Sequence, residues 1–224
     1  MKFIEYADGE MMMMDLANVL AGELENALFS HDTASFAVPG GTTPGPIFDS
    51  LSAAKHLDWA RINVLLTDER WVPETSERSN TRLVRERLLT GPAAAATYVP
   101  LYAEAPTPED RLDDLQAGLA PHLPLSVLLL GMGADMHTAS IFPGADQLEA
   151  ALHGDATLVA MRAPGAPEPR ITLSARVLKE AMSCHIVIVG AEKRAALEKA
   201  RHLTPEEAPV AAVLSGATVH WAES

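Results

Sequence analysis

Val127-Leu128-Leu129-Leu130-Gly131-Met132-Gly133-Ala134-Asp135-Met136-His137-Thr138-Ala139-Ser140-Ile141-Phe142-Pro143-Gly144 opens with four apolar residues and breaks into a polar, glycine-bounded turn. A short apolar run bounded by glycine has the pattern of a strand buried on both faces, as in a parallel sheet. Gly131 and Gly133 are expected to turn the backbone sharply, because glycine alone enters φ > 0 without steric cost. Just past the turn stand a carboxylate, an imidazole and two hydroxyls: Asp135, His137, Thr138 and Ser140. In open α/β sheets, ligands bind where the strands end at their carboxyl edge. A histidine there can accept and return a proton near neutral pH. The alternative is that Asp135 and Thr138 cap a following helix and His137 is a surface residue.

The flanking segments alternate in the same way. Met11 to Phe29 reads as a helix, with Leu16, Val19, Leu20, Leu24, Ala27 and Leu28 at helical spacing and the Met11–Met14 run as packing filler. Ala34–Val38 reads as a strand running into Pro39-Gly40-Gly41-Thr42-Thr43-Pro44, with Thr43 as N-cap and Pro44 at the first helical position. Such a turn either leaves free N–H groups for an anion or simply connects two elements. Arg61–Leu66 is the next strand and ends in Thr67-Asp68-Glu69-Arg70-Trp71-Val72-Pro73. Three charges at a strand end are expensive to bury, so they are either a mutually paired knot or part of a site. Ser79 caps a helix through Leu89 with Leu83, Val84 and Leu88 inward, Arg82, Arg85 and Arg87 solvated, and Gly91-Pro92 as its stop.

Thr107-Pro108-Glu109-Asp110 signals a further helix to about Leu119. Beyond the central loop, Ala156–Ala160 is a strand, and a proline-rich connection leads to Arg170-Ile171-Thr172-Leu173-Ser174 and a helix with Val177, Leu178 and Ala181 inward. His185–Val189 is a strand followed by Gly190-Ala191-Glu192-Lys193-Arg194 and a helix to about Arg201. Lys193 opposes the helix dipole, which suits either an arriving anion or a solvated side chain. Val210–Leu214 and Thr218-Val219-His220 are expected to close the sheet. The alternation predicts an α/β fold: a mostly parallel, doubly wound, Rossmann-like sheet with helices on both faces, with residues 1–224 as a single domain.

At 224 residues, 48% hydrophobic and 21% charged, the chain can bury a sizeable core. A net charge of −13 argues against nucleic acid as a partner, since phosphate backbones require a basic face, but leaves room for a small anion in a locally positive pocket. No apolar run reaches membrane-spanning length and no signal peptide is visible. The single cysteine, Cys184, lies in an apolar run and reads as a buried, inert thiol. A cytoplasmic protein is expected. Gly131-Met132-Gly133 lacks the third glycine of a dinucleotide loop, having Met136 at that place, and no acidic residue marks a following strand end.

Gly131–Gly144 resembles the signature loop of the 6-phosphogluconolactonase family, within the glucosamine/galactosamine-6-phosphate isomerase superfamily. Pro39–Pro44, Thr67–Pro73 with Ser79-Asn80, Arg170-Ile171-Thr172-Leu173 and Gly190–Arg194 resemble its other motifs, in the family's order. Members usually carry glycine between the Asp and the His, where Met136 stands here. The resemblance implies hydrolysis of 6-phosphoglucono-δ-lactone to 6-phosphogluconate in the pentose phosphate pathway, with no metal and no cofactor. With it go His137 as acid–base, Asp135 as the group that holds either the imidazolium or a neighbouring Arg, and Arg70 as a stabiliser of developing negative charge. Gly40, Gly41, Thr42, Thr43, Asp68, Arg170 and Lys193 are then the substrate- and phosphate-binding residues. The expected partner is a small phosphosugar lactone, and the expected assembly a monomer or weak homodimer. A glucosamine-6-phosphate deaminase is the nearest rival, yet those enzymes carry an acidic residue shortly after the His, and Thr138–Gly144 has none. A non-catalytic sugar-phosphate sensor is a rival of another class, normally accompanied by a DNA-binding segment.

Overall fold

The apolar runs that read as buried strands pair in parallel in the computed structural model, which describes residues 1–224. In chain order the elements are β1 (Lys2–Glu5), α1 (Gly9–Ser30), β2 (Ala34–Val38), α2 (Gly45–Ser52), β3 (Ile62–Leu66), β4 (Asp68–Arg70), α3 (Asn80–Arg87), β5 (Thr97–Val99) and α4 (Leu112–Leu119). There follow β6 (Val127–Gly131), α5 (Leu148–His153), β7 (Leu158–Met161), β8 (Arg170–Leu173), α6 (Ala175–Lys179), β9 (Ser183–Val189), α7 (Ala191–Ala200), α8 (Ala211–Leu214) and β10 (Thr218–Ala222). Seven strands form one parallel sheet in the order β1-β10-β9-β6-β2-β3-β5. The central strands β2 and β3 are buried along their whole length, as a sheet covered on both faces requires.

The order locates the site. From β1 through β2 and β3 to β5 the chain steps one way across the sheet; from β5 through β6 and β9 to β10 it steps back. Right-handed crossovers place α1, α2 and α3 on one face and α4 to α8 on the other. The packing agrees, with α1 on α2, α2 on α3, α5 on α6 and α6 on α8. The direction reverses between the neighbours β2 and β6, so the loops leaving their carboxyl ends diverge and open a crevice. Those loops are the glycine–threonine turn after Val38 and the His137 loop.

A three-stranded antiparallel sheet, β4-β8-β7, stands beside the main one; of its strands the sequence reading has only β7, as Ala156–Ala160, and it has no second sheet. Two edge strands, β1 and β5, were also not foreseen. Val210–Leu214, expected as a strand, is instead the short helix α8 with its preceding residue. A five-residue apolar run cannot be assigned by periodicity alone, and here Val210, Val213 and Leu214 bury at helical spacing. β10 does not close the sheet: it lies between β1 and β9. In the Met11–Met14 run only Met12 is fully buried; Met11 and Met14 are exposed, so half the run is not filler. No helix is long and apolar enough to cross a membrane. Cys184 is buried, and burial pushes its thiol up to about 12.

A polar chain crosses the sheet under α1. Tyr6 Oη lies 2.9 Å from His220 Nδ1, His220 Nε2 lies 2.9 Å from His185 Nδ1, and His185 Nε2 lies 2.8 Å from Glu23 Oε2. Burial, followed by the charge of His185, pushes the pKa of His220 down to about 4.

Candidate active site

A cleft of about 270 Å³ opens at the crevice, lined by Pro39 to Pro44, Asp68, Arg70, Asn80, Gly131 to Gly133, His137, Ala139, Arg170, Val187 and Lys193. It gathers all but one of the residues expected from the sequence: His137, Arg70, Gly40, Gly41, Thr42, Thr43, Asp68, Arg170 and Lys193. Asp135 lies behind the imidazole rather than on the lining. Asn80 lines the cleft and was not foreseen as a site residue.

The His137 loop does not lead into a helix; the next one, α5, begins at Leu148, so Asp135 and Thr138 cap nothing. Asp135 Oδ1 lies 2.5 Å from His137 Nδ1 and also accepts the His137 backbone N–H at 3.1 Å. A carboxylate on Nδ1 requires a proton there, which leaves the lone pair of the neutral ring on Nε2. Burial pushes the Asp135 carboxyl up, but the hydrogen bonds and charge of His137 outweigh it and hold the pKa below the usual carboxylate range. Phe142 stacks on the imidazole with centroids 4.2 Å apart, so the ring is fixed at its face as well as its edge.

Two backbone features hold this loop, and neither is the one expected. Gly131 and Gly133 do not adopt positive φ; the positive values fall on Met136 (φ 67°) and Ala139 (φ 49°). Gly133 is instead required by close approach, since a Cβ there would sit 2.2 Å from His137 Nδ1 and 2.5 Å from Asp135 Oδ1. The turn closes by Gly133 N–H donating to His137 O at 3.0 Å, and Val210 N–H donates to Met136 O at 3.1 Å from α8's leading end.

On the opposite wall, alternation along β4 sends Asp68 and Arg70 to the cleft and Glu69 away from it. The three charges are therefore not a mutually paired knot. Asp68 accepts the Ser140 hydroxyl at 2.6 Å and the Thr67 hydroxyl at 3.0 Å, tying β4 to the His137 loop. Arg70 lies directly opposite Arg170 in the β4–β8 ladder. Nine of the twelve arginines pair with carboxylates, and Arg61 bonds three carbonyl oxygens around the end of α1. The remaining two are Arg70 and Arg170, both on the cleft, each with a buried Nε–H that has no protein partner. Burial and the charge of Arg70 hold the Arg170 pKa below its ordinary value. Two guanidinium groups with no carboxylate partner face each other here with Lys193 nearby, so this wall carries positive charge of the kind that suits an anion.

The third wall is the turn after β2. Its helix starts one residue later than expected: Gly45 opens α2, Pro44 takes the cap position with helical dihedrals, and Thr43 makes no cap. The Thr43 side chain is therefore not committed to α2, and Gly41 adopts φ 84° at the cleft.

Residues 7–221 match the family model described as glucosamine-6-phosphate isomerases/6-phosphogluconolactonase. The chain belongs to this family. Within the glucosamine-6-phosphate isomerase/6-phosphogluconolactonase family, it is 41% identical over 216 residues to a 6-phosphogluconolactonase of Rhizobium meliloti, covering 92% of each chain. It is also 41% identical to one of Pseudomonas aeruginosa, covering 92% of this chain and 88% of the other. Among solved structures, a 6-phosphogluconolactonase from Shewanella baltica superposes with a TM-score of 0.95 at 34% identity, covering 99% of this chain and 97% of that one. One from Thermotoga maritima gives 0.82 at 27% identity, covering 100% and 99%.

Proposed function

We propose that the protein is a 6-phosphogluconolactonase, hydrolysing 6-phosphoglucono-δ-lactone to 6-phosphogluconate. The observation that carries the site assignment is the division of the cleft. One wall presents an imidazole with a free Nε2, and the other presents two arginines that pair with no carboxylate and keep a buried Nε–H without a partner. A lactone with a phosphate at its far end needs both.

In the proposed reaction His137 Nε2 takes a proton from water as its oxygen bonds to the lactone carbonyl carbon. Arg70 stabilises the negative charge that develops on the carbonyl oxygen. The bond from that carbon to the ring oxygen then breaks, and His137 returns its proton to the ring oxygen, giving the acid and restoring the imidazole. Asp135 holds the ring in the required tautomer and stabilises the imidazolium. Free N–H groups of the Gly40–Thr43 turn, with Arg170 and Lys193, hold the phosphate, and Asp68 faces the sugar hydroxyls. No step is routed through a metal or nucleotide. A deaminase of aminosugar phosphates is disfavoured because Thr138–Gly144 supplies no carboxylate for ring opening.

The whole chain is read as one catalytic domain, cytoplasmic, a monomer or weak homodimer, with no nucleic-acid partner. The purified protein should accelerate loss of freshly made lactone above its spontaneous hydrolysis, with chelator present. His137→Ala should lower kcat by about 10²- to 10⁴-fold with a modest change in KM. Near-normal turnover by that variant refutes the role given to His137.

A further inference from the structure

The proposed reaction leaves Glu69 without a task, although it is the most deeply buried carboxylate in the molecule. Of thirty acidic residues only Asp68 and Glu69 are buried, and Glu69 has no exposed surface at all. Its position on β4 turns it away from the cleft and under the first turn of α3. Oε1 accepts the backbone N–H of Arg70 and of Asn80, each at 2.8 Å. Oε2 accepts the Thr81 N–H at 2.8 Å, the Thr81 hydroxyl at 2.8 Å and the Ser79 hydroxyl at 3.0 Å. All five partners donate. A glutamine in this place would aim its own N–H₂ at donors, so the arrangement accepts a carboxylate and little else.

A cap for α3 alone does not need this, because the Ser79 hydroxyl already accepts the Arg82 N–H. The carboxylate instead fixes where α3 begins relative to β4, and the residue held there is Asn80. Asn80 donates from Nδ2 to Asp68 O at 3.0 Å and lies hard against Gly40, where a Cβ would fall 2.0 Å from its Oδ1. From Glu69 through Asn80 to the Gly40–Thr43 turn there is one unbroken line of contacts.

Resting on the functional reading above, we propose that Glu69 is a positioning residue for phosphate: it holds Asn80 against Gly40 and so sets the place of the turn that grips the substrate's anionic end. His137 itself makes no contact in this line; its loop joins β4 separately, through the Ser140 hydroxyl on the Asp68 carboxylate. Arg70 gives its backbone N–H to Glu69 but is also held by its ladder pairing with β8 and its bond to the Arg78 carbonyl, neither of which involves Glu69, so its guanidinium is expected to stay in place when Glu69 is altered.

The test compares wild type with Glu69→Gln by steady-state kinetics and by calorimetric titration with 6-phosphogluconate. In Glu69→Gln, KM and the Kd for 6-phosphogluconate should rise at least about tenfold, while kcat falls no more than about threefold and its pH profile keeps its shape. A fall in kcat with Kd unchanged, or no change in either, overturns the proposal. Should Glu69→Gln not fold, Thr81→Val removes one of the five donors from the far side. It should raise the same Kd by roughly two- to fivefold with kcat retained, and an unchanged Kd again overturns it. A wild-type protein that neither hydrolyses the lactone nor binds 6-phosphogluconate sinks the functional reading and this inference together. A competent wild type beside a variant of unaltered Kd sinks only the role of Glu69.

Discussion

Replacing Met136 by glycine and by alanine tests the backbone of the His137 loop directly. Met136 holds φ 67°, in the left-handed region where a Cβ crowds the following carbonyl at about 1–2 kcal/mol for any L residue. Alanine keeps that Cβ and glycine removes it. Against this, glycine loses about 0.4–1 kcal/mol relative to alanine through the greater freedom of its unfolded chain. The difference leaves Met136→Gly more stable than Met136→Ala by roughly 0.5–1 kcal/mol. In an ordinary extended or helical position the order is reversed. Both variants lose the methionine side chain, which is half-buried against the core, so that loss cancels in the comparison. In a chain of this length the expected gap is about 1–4 °C in Tm, readable by differential scanning fluorimetry at fixed pH and protein concentration. The Met136 carbonyl still accepts from Val210 in both variants, so kcat should change little between them. An alanine variant as stable as the glycine variant, or more so, refutes the left-handed geometry and the account of this loop built on it.

Gly133→Ala should place its Cβ on the imidazole, lowering kcat at least about 10²-fold with a smaller effect on KM, because the base is displaced rather than the anion wall. Asp135→Asn keeps the shape but offers an amide to Nδ1 and loses the charge that stabilises imidazolium; kcat should fall, and an undiminished kcat removes Asp135 from the mechanism. Arg170→Ala should raise the Kd for 6-phosphogluconate by tenfold or more, about 1.4 kcal/mol, since it removes one of the two cleft guanidinium groups that have no carboxylate partner. Stability should also depend on pH through His220. Its folded-state pKa of about 4 lies below the ordinary value of 6.5, so the unfolded chain binds the extra proton first. Native stability therefore falls as pH drops from about 6.5 toward 4 and levels off below, with a ceiling of about 3 kcal/mol. Urea denaturation at a series of pH values should show this slope, and His220→Gln should flatten it; an unchanged slope assigns the titration elsewhere.

Local patterns in the sequence determined the parallel core and most of the His137 wall of the cleft. The four apolar residues of β2 and the four that open β6 can be satisfied only by burial on both faces, and a polar, glycine-broken segment after such a strand must lie at a sheet edge. His137 and Asp135 stand two residues apart, so their pairing is a local event that spacing makes legible. Only the tertiary structure decided the anion wall. Arg70 and Arg170 are a hundred residues apart and meet through the antiparallel register of β4 with β8, and no period in either segment encodes a partner that distant. The same holds for Asn80, which the sequence offered only within the Ser79-Asn80 part of a family motif and which the fold presses against Gly40. It holds for the glycines as well: Gly133 is needed for the room an imidazole takes up, and that need exists only once the loop has folded back upon itself. Strand or helix for Val210–Leu214 was likewise settled by what the run packs against, because five apolar residues have no preferred period of their own.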